Sequence, residues 1–334
     1  MVRNFKEIIE ERMPKDVRYI LDILNKDGRE AFTVGGCVRD ILLKREPNDW
    51  DVATSVLPEE VMDIFEKEGY SVIPTGIAHG TVTVVINGEG YEITTYRIDG
   101  DYSDSRRPDE VIFTKSIEDD LSRRDLTINA IAYNNVSGFV DVFGGVEDLN
   151  NKIIRTVNDA TERFTEDALR MMRAIRFSSQ LGFKIEDATF KAISENAEDI
   201  VNVSKERIQV ELSKILTSPN PSEGILNLQR TGLLGFIVPE LEETVGFDQR
   251  NPNHNRDIFG HTLSVLDKCA DDKITVRLAS LFHDIGKIRT FSIDKDGIGH
   301  FYGHEKESIT MTEEILRRLK YDNKTIKSVL FLVG

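Results

Sequence analysis

Cysteine is almost missing from this chain of 334 residues, which has only Cys37 and Cys269, far apart in sequence. Two such residues cannot make a disulfide framework, and their scarcity fits a reducing compartment, the cytoplasm. Long apolar runs are missing too. Stretches such as Leu233–Val238 fall far short of the roughly 20 residues that a bilayer crossing needs, which excludes a transmembrane protein. Met1–Pro14 alternates charges with single apolar residues and has no apolar h-region, so it reads as an amphipathic helix and not as a secretory signal. Nor is there a surplus of positive charge: 43 Lys and Arg stand against 58 Asp and Glu, a net charge of −15. That excludes coating nucleic acid by bulk charge but leaves room for local basic strips. What is present, 40% apolar and 30% charged residues, is an ordinary globular balance, and the length calls for two or three domains.

The pattern changes along the chain. Up to about residue 142 it reads as α/β: a helix over 17–25, a strand over 31–34, a glycine pair, a helix over 38–43 and helical spacing over 58–68. Two β-rich stretches, 81–86 and 91–96, flank Asn87-Gly88-Glu89-Gly90, a strong hairpin signal. Beyond residue 141 helical spacing dominates. Thr165 is placed to cap a helix from Glu166 to about Leu181, with Gly182 as its C-terminal stop. Further helices are expected over 187–195, 205–216 and 222–229, a linker over 241–255, and a last helical unit from Asp257 onward.

Chemistry gathers first at Gly35-Gly36-Cys37-Val38-Arg39-Asp40 and Asp49-Trp50-Asp51. A strand ending in two glycines at a helix start lets backbone N–H groups approach a phosphate closely, although a tight turn has the same signature. Arg39, one turn on, would add a charge-assisted bond to that anion. On a strand, Asp49 and Asp51 share one face. Two such charges so close are costly without a cation, and oxygen-only donors suit Mg²⁺; a solvated edge strand is the alternative. Glu92 opens another strand segment, and three acids on adjacent strands would hold ions for in-line phosphoryl transfer.

These segments, with Gly76…His79-Gly80-Thr81-Val82, Arg123-Arg124-Asp125-Leu126-Thr127-Ile128-Asn129-Ala130, Asp141-Val142-Phe143-Gly144-Gly145 and Glu166-Asp167-Ala168-Leu169-Arg170 followed by Arg173 and Arg176, resemble the class II tRNA nucleotidyltransferases. Those are the CCA-adding enzymes, in the polymerase-β-like superfamily shared with bacterial poly(A) polymerases. The resemblance runs over about residues 30–216. It implies an α+β head with a mixed sheet and helices (1–142), a helical neck (143–216), a helical body or linker (217–250) and a helical HD-type domain (251–334). It also implies template-independent addition of C, C and A to the tRNA 3′ end from CTP and ATP.

In that family the paired aspartates bind catalytic Mg²⁺, so the resemblance gives Asp49 and Asp51 that role, with Glu92 as the third acid. Gly35, Gly36 and Arg39 would hold the triphosphate. Arg123, Asp125 and Asn129 fall in the element that reads ribose and phosphate. Asp167 and Arg170 would select the base, with Arg173 and Arg176 further along the same nucleotide-binding segment and Glu166 steadying them. Taken without the resemblance, that helix is an acidic N-terminus followed by surface arginines. The polar stretch Arg97–Pro108 corresponds to a flexible loop that accompanies A addition, which speaks against an enzyme adding only CC. Ile73–Gly80 replaces the Gly-Arg-Arg-Phe-like segment of poly(A) polymerases and favours the CCA type.

His283-Asp284-Ile285-Gly286-Lys287 resembles the HD phosphohydrolase signature. With His261 and His304 it implies a second metal site, of imidazole and carboxylate donors suited to Mn, Ni or Fe; a structural His–Asp pair is the alternative. The signature's last acid should lie beyond Gly334, so a truncated unit of weak or absent hydrolase activity is expected. His254 has no assigned role. Basic strips for RNA are read at Arg170, Arg173 and Arg176; at Lys205, Arg207 and Lys214; and at Arg317, Arg318, Lys320, Lys324 and Lys327. The rival readings are an A-adding or poly(A) polymerase, a phosphohydrolase centred on His283-Asp284, and a noncatalytic RNA-binding protein.

Overall fold

The computed structural model describes residues 5–100, 111–250 and 256–334. Much of the polar stretch up to Pro108, along with His254, lies outside them. The chain divides into two compact units, Met1–Glu166 and Asp167–Gly334.

In the first unit α1 (Phe5–Arg12) and α2 (Lys15–Leu24) lead into β1 (Ala31–Val34), α3 (Gly36–Leu42), β2 (Val52–Thr54) and α4 (Pro58–Lys67). Next come β3 (Ser71–Gly76), β4 (Thr81–Ile86), β5 (Glu89–Thr95), β6 (Arg97–Asp99) and β7 (Val111–Phe113). The unit closes with α5 (Ile117–Ser122), β8 (Ala132–Asn134), β9 (Gly138–Val140), α6 (Gly145–Asn151) and α7 (Ala160–Glu166). Seven strands form one sheet in the order β3-β4-β5-β2-β1-β8-β9. The β2–β5 pair is parallel and its neighbours are antiparallel, so this is the mixed sheet with helices that the sequence implies.

Local chemistry explains the strands. Val82, Val84 and Ile86 are buried while the residues between them are not, the period of two that belongs to a strand covered on one face. Ile86 pairs directly with Glu89. The turn is therefore two residues, Asn87 and Gly88, both at positive φ (53° and 86°), as a tight hairpin demands. The strand starts earlier than expected because Glu89 and Gly90 join the ladder. Phe32, Val34, Ala53, Tyr96, Leu121, Ala132 and Val157 pack as one core around β1.

The head runs past residue 142, to Glu166, because buried polar bonds tie the later segments to it. Asp148 accepts from Thr127 Oγ1 at 2.6 Å and pairs with Arg155 at 3.1 Å. The Val157 N–H reaches the Asp125 carbonyl at 3.2 Å.

The second unit is almost wholly helical: α8 (Leu169–Leu181), α9 (Asp187–Glu195), α10 (Lys205–Leu216), α11 (Pro221–Arg230), α12 (Leu233–Ile237), α13 (Pro239–Glu242), α14 (Ile258–Lys268), α15 (Ile274–Phe282), α16 (Lys287–Thr290), α17 (His304–Arg318) and α18 (Asn323–Val333). Gly182 ends α8 in the left-handed conformation at φ 70°, as expected. The start of α8 departs from expectation. Thr165 lies inside α7, where its hydroxyl donates back to the Thr161 carbonyl, and α8 starts three residues beyond Glu166. There the Asp167 carboxylate, one residue before the N-cap Ala168, accepts the Leu169 N–H at 3.1 Å, while the Thr165 hydroxyl is already spent on its own helix. The expected linker over 241–255 is also partly structured. Thr244 and Gln249 are buried, and the Gln249 amide donates to the Arg256 carbonyl at 2.8 Å.

Candidate active site

The pairing of β1, β2 and β5 sets where the head acids stand, although their carboxylate oxygens do not all lie within 4.8 Å of one another. Asp49 and Asp51 precede β2 instead of lying within it, yet the Asp51 carbonyl still accepts from the Val34 N–H at 3.1 Å, so the backbone remains extended alongside β1. In the parallel pair Val52 aligns with Ile93, which puts Asp51 level with Glu92. All three acids keep exposed surfaces, as an open site requires. Their mutual repulsion shows at Asp51: burial by surrounding protein, then the charges of Asp49 and Glu92, push its carboxyl up to about 6, against the pull of Arg124. Asp49 and Asp51 lie near the glycine bend. Cys37, the second residue of α3, lies within electrostatic reach of Asp51 and Asp49, and burial pushes its thiol up to about 12, so it is an inert wall.

Gly35 turns the chain from β1 into α3 at φ 73°. A side chain there would be strained and would meet Arg124 Nη1 at 3.0 Å, so only glycine permits that close approach. Arg39 is braced on both sides: its Nε donates to Asp40 at 2.9 Å and its Nη1 to Asn129 Oδ1 at 2.6 Å. Asn129 in turn donates to Asp125 at 3.2 Å, and both are nearly buried. Arg39, Asn129 and Asp125 thus form one chain of hydrogen bonds, and the Arg39 N–H donates to the Gly35 carbonyl at the glycine bend at 3.1 Å.

Beneath them lies a residue that sequence reading missed. Asp120 is fully buried and bonds Arg123 at 2.8 Å and Arg124 at 3.2 Å. Burial alone would raise its carboxyl, but the two guanidinium groups outweigh that and hold it below the usual range. The i, i+3 and i, i+4 spacing was a visible signal for this hub.

In the second unit Asp167 meets a partner that no local pattern announces. Its Oδ2 accepts from Arg207 at 2.6 Å, so Arg207 is not part of a free basic strip. Arg176 departs from its expected nucleotide role as well. It is 6% exposed, paired with the buried Glu211 at 3.2 Å and stacked 4.2 Å above the Phe177 ring, which makes it a strut between α8 and α10. Arg173 also lies near Phe177, at 5.8 Å, and Arg170 stands in the first turn of α8. Glu166, at the end of the head unit, pairs with Arg163.

The last helices gather the expected histidines. His261 Nε2 and His283 Nε2 each lie 3.4 Å from Asp284 Oδ2 and 3.2 Å from each other. Their ligand atoms form the one such cluster found among the described residues. His304 Nε2 lies 3.5 Å from Asp284 Oδ1. His283 and His304 each use Nδ1 on a backbone carbonyl, of Ser280 and Phe301, at 2.9 Å, which turns both Nε2 atoms toward the aspartate. Burial pushes Asp284 up, but His283 and Lys287, the latter 2.7 Å away, hold it far below the carboxylate range. Burial lowers His283, and the Asp284 carboxylate more than reverses that.

Residues 31–155 match the family model described as Poly A polymerase head domain, so the first unit is a nucleotidyltransferase head of the polymerase type. Residues 182–244 match "Probable RNA and SrmB-binding site of polymerase A", and 257–333 an HD domain. The chain is 50% identical over 224 residues to a CCA-adding enzyme of Geobacillus thermodenitrificans, covering 67% of this chain and 54% of that protein. With one from Pediococcus pentosaceus it shares 49% over 235 residues, 70% and 58% of the two chains. A crystal structure of the Bacillus stearothermophilus CCA-adding enzyme in complex with CTP matches at TM-score 0.73 and 34% identity, over 95% of this chain and 69% of that one. This chain belongs to the CCA-adding enzyme family. It spans somewhat more than half the length of the curated relatives it matches.

Proposed function

We propose that this chain adds C, C and A to the 3′ end of tRNA from CTP and ATP, without a nucleic-acid template and with release of pyrophosphate. The observation that carries the reading is the alignment of Asp51 with Glu92 next to β1 and the Gly35 bend, where burial first and then the charges of Asp49 and Glu92 raise the Asp51 carboxyl. Such an oxygen-only set fits a divalent cation. Asp49 and Asp51 would hold Mg²⁺, whose charge eases deprotonation of the 3′-hydroxyl and steadies the α-phosphate. Gly35 and Gly36 leave the backbone open to the triphosphate, and Arg39, fixed by Asp40 and Asn129, supplies a positive charge that does not have to be ordered on binding. Arg123, held by Asp120, serves the phosphates, and Asp125 serves the ribose hydroxyls. Asp167 and Arg170 read the base edge, one as acceptor and one as donor.

The test is incorporation of labelled CTP and ATP into tRNA that lacks its last three nucleotides. Wild-type protein extends it by three residues; one or many adenosines would mark the A-adding or poly(A) reading instead. Asp51→Ala folds and adds nothing, and Arg170→Ala transfers while losing base choice. Full activity in Asp51→Ala refutes the site. For RNA, Lys205, Lys214, Lys320, Lys324 and Lys327 remain available for phosphates, whereas Arg207, Arg317 and Arg318 are paired with acids. The scarce cysteines, Cys37 among them buried, are those of a cytoplasmic protein.

The convergence of Nε2 atoms on Asp284 supports a second reading, that His261, His283, Asp284 and His304 bind a transition metal such as Mn, Ni or Fe. Phosphohydrolase activity there is expected to be weak or absent. Metal-dependent release of phosphate from a 2′,3′-cyclic nucleotide would prove that wrong.

A further inference from the structure

We infer that Arg207 is a positioning residue for base choice: it fixes the acceptor face of Asp167 so that bases bearing an amino group are taken and bases bearing a keto group in the same place are refused. The inference rests on the proposed reading of Asp167 as a base-edge contact.

Both oxygens of the Asp167 carboxylate are pinned, by donors from different elements. Oδ1 accepts the Leu169 N–H at 3.1 Å, at the start of α8, and Oδ2 accepts from Arg207 Nη2 at 2.6 Å, in the first turn of α10. The two side chains are only 14% and 23% exposed, so water competes little for these bonds. α10 is itself anchored. One turn after Arg207, Glu211 holds Arg176 of α8 at 3.2 Å, both nearly buried. Arg207 therefore reaches Asp167 from a fixed platform.

A carboxylate offers about four lone-pair positions. Two are spent here, which leaves one on each oxygen in a direction set by the other two bonds. The amino group of cytosine or adenine donates to such a position. The keto oxygen of uracil or guanine, brought to the same spot, sets acceptor against acceptor and leaves polar groups unpaired, which costs far more than a missing contact in water. That penalty depends on a carboxylate that cannot turn. Without Arg207 only the Leu169 N–H restrains it, and rotation about its last torsion relieves the clash. Selectivity falls while the capacity to transfer a nucleotide persists.

The experiment is competitive incorporation of CTP against UTP, and of ATP against GTP, into tRNA lacking its terminal nucleotides. The proteins compared are the full chain, Arg207→Met, Arg207→Lys and Asp167→Asn. A ratio of products does not depend on the fraction of enzyme folded, so a less stable variant remains informative, and thermal unfolding reports its stability separately. Arg207→Met is expected to lower both ratios about tenfold, the effect of roughly 1.4 kcal/mol. Arg207→Lys, which keeps a donor and a charge, recovers most of the loss. Asp167→Asn, whose amide can donate, lowers the ratios further. If Asp167→Asn shifts the ratios and Arg207→Met does not, Arg207 is structural and the inference is overturned while the reading of Asp167 stands. If neither shifts them, base selection does not run through Asp167 and both fall.

Discussion

In the head, burial first and then the charges of Asp49 and Glu92 push the Asp51 carboxyl up to about 6, with Arg124 pulling the other way. In the last helices, Asp284 lies against Lys287 and among three histidines, and its carboxyl falls far below the usual range. Both clusters are built of metal-binding side chains, but they carry opposite electrostatic debts. The head acids keep negative charge that Arg124 only partly offsets, the property a site would need if a cation and a triphosphate are to arrive together. At the other cluster Lys287 already pairs with the aspartate at 2.7 Å, so an ion binding there would have to displace part of an existing ion pair. Among clusters of metal-binding side chains, an unbalanced one marks a working site more strongly than a balanced one.

Activity separates the two most widely. Asp51→Ala is expected to reduce nucleotide incorporation about 1000-fold or more, since loss of metal positioning removes several kcal/mol of barrier lowering. Asp284→Ala leaves incorporation unchanged. Comparable losses in both variants, measured on the same tRNA, would end the distinction. Stability should divide them in the opposite sense. Asp284→Ala strands Lys287, which is 9% exposed, and is expected to cost about 3–5 kcal/mol, the usual consequence of breaking a buried pair. Asp51→Ala relieves repulsion and leaves stability in urea equal or higher. A smaller effect tests the histidines directly. Mn²⁺ at about 100 times its dissociation constant stabilises a one-site protein by about 2.7 kcal/mol, and His283→Ala should abolish that gain in a thermal melt.

Much of this contrast was legible in the chain because its elements are local. Asn87-Gly88 announces its hairpin, Gly182 ends its helix at positive φ, and Asp49 and Asp51 sit two apart beside a strand. Glu92 was placed on a strand by pattern, but that it stands level with Asp51 depends on the parallel pairing of β2 with β5, and register between distant strands leaves no mark in either segment. The same gap in knowledge explains the misreadings. Arg176 and Arg207 look like solvated helix charges until Glu211 and Asp167, 35 and 40 residues away, are brought against them. Thr165 reads as a cap only while Asp167, two residues on, is reserved for another task. A sequence shows which groups are chargeable. Which charges are already spent is a tertiary fact.

Asp120 carries the contrast into the head itself and gives the subtlest test. It shares the head with Asp51 but has the opposite environment, fully buried beneath Arg123 and Arg124, and its carboxyl is lowered, not raised. The folded-state value lies below the unfolded one, about 3.9. Its contribution to stability is therefore complete above that pH and is lost as pH falls through the folded value. Asp120→Asn keeps the shape and part of the hydrogen bonding but gives up the charge. It is expected to cost about 1.5–3 kcal/mol at neutral pH, the range for hydrogen bonds to charged groups. The difference from wild type should shrink as the medium is acidified below about pH 4. Urea unfolding of both proteins between neutral and acid pH measures it. A difference that stays constant with pH would mean that Asp120 supports the arginines by shape alone, and the two acids of the head would then not be electrostatic opposites.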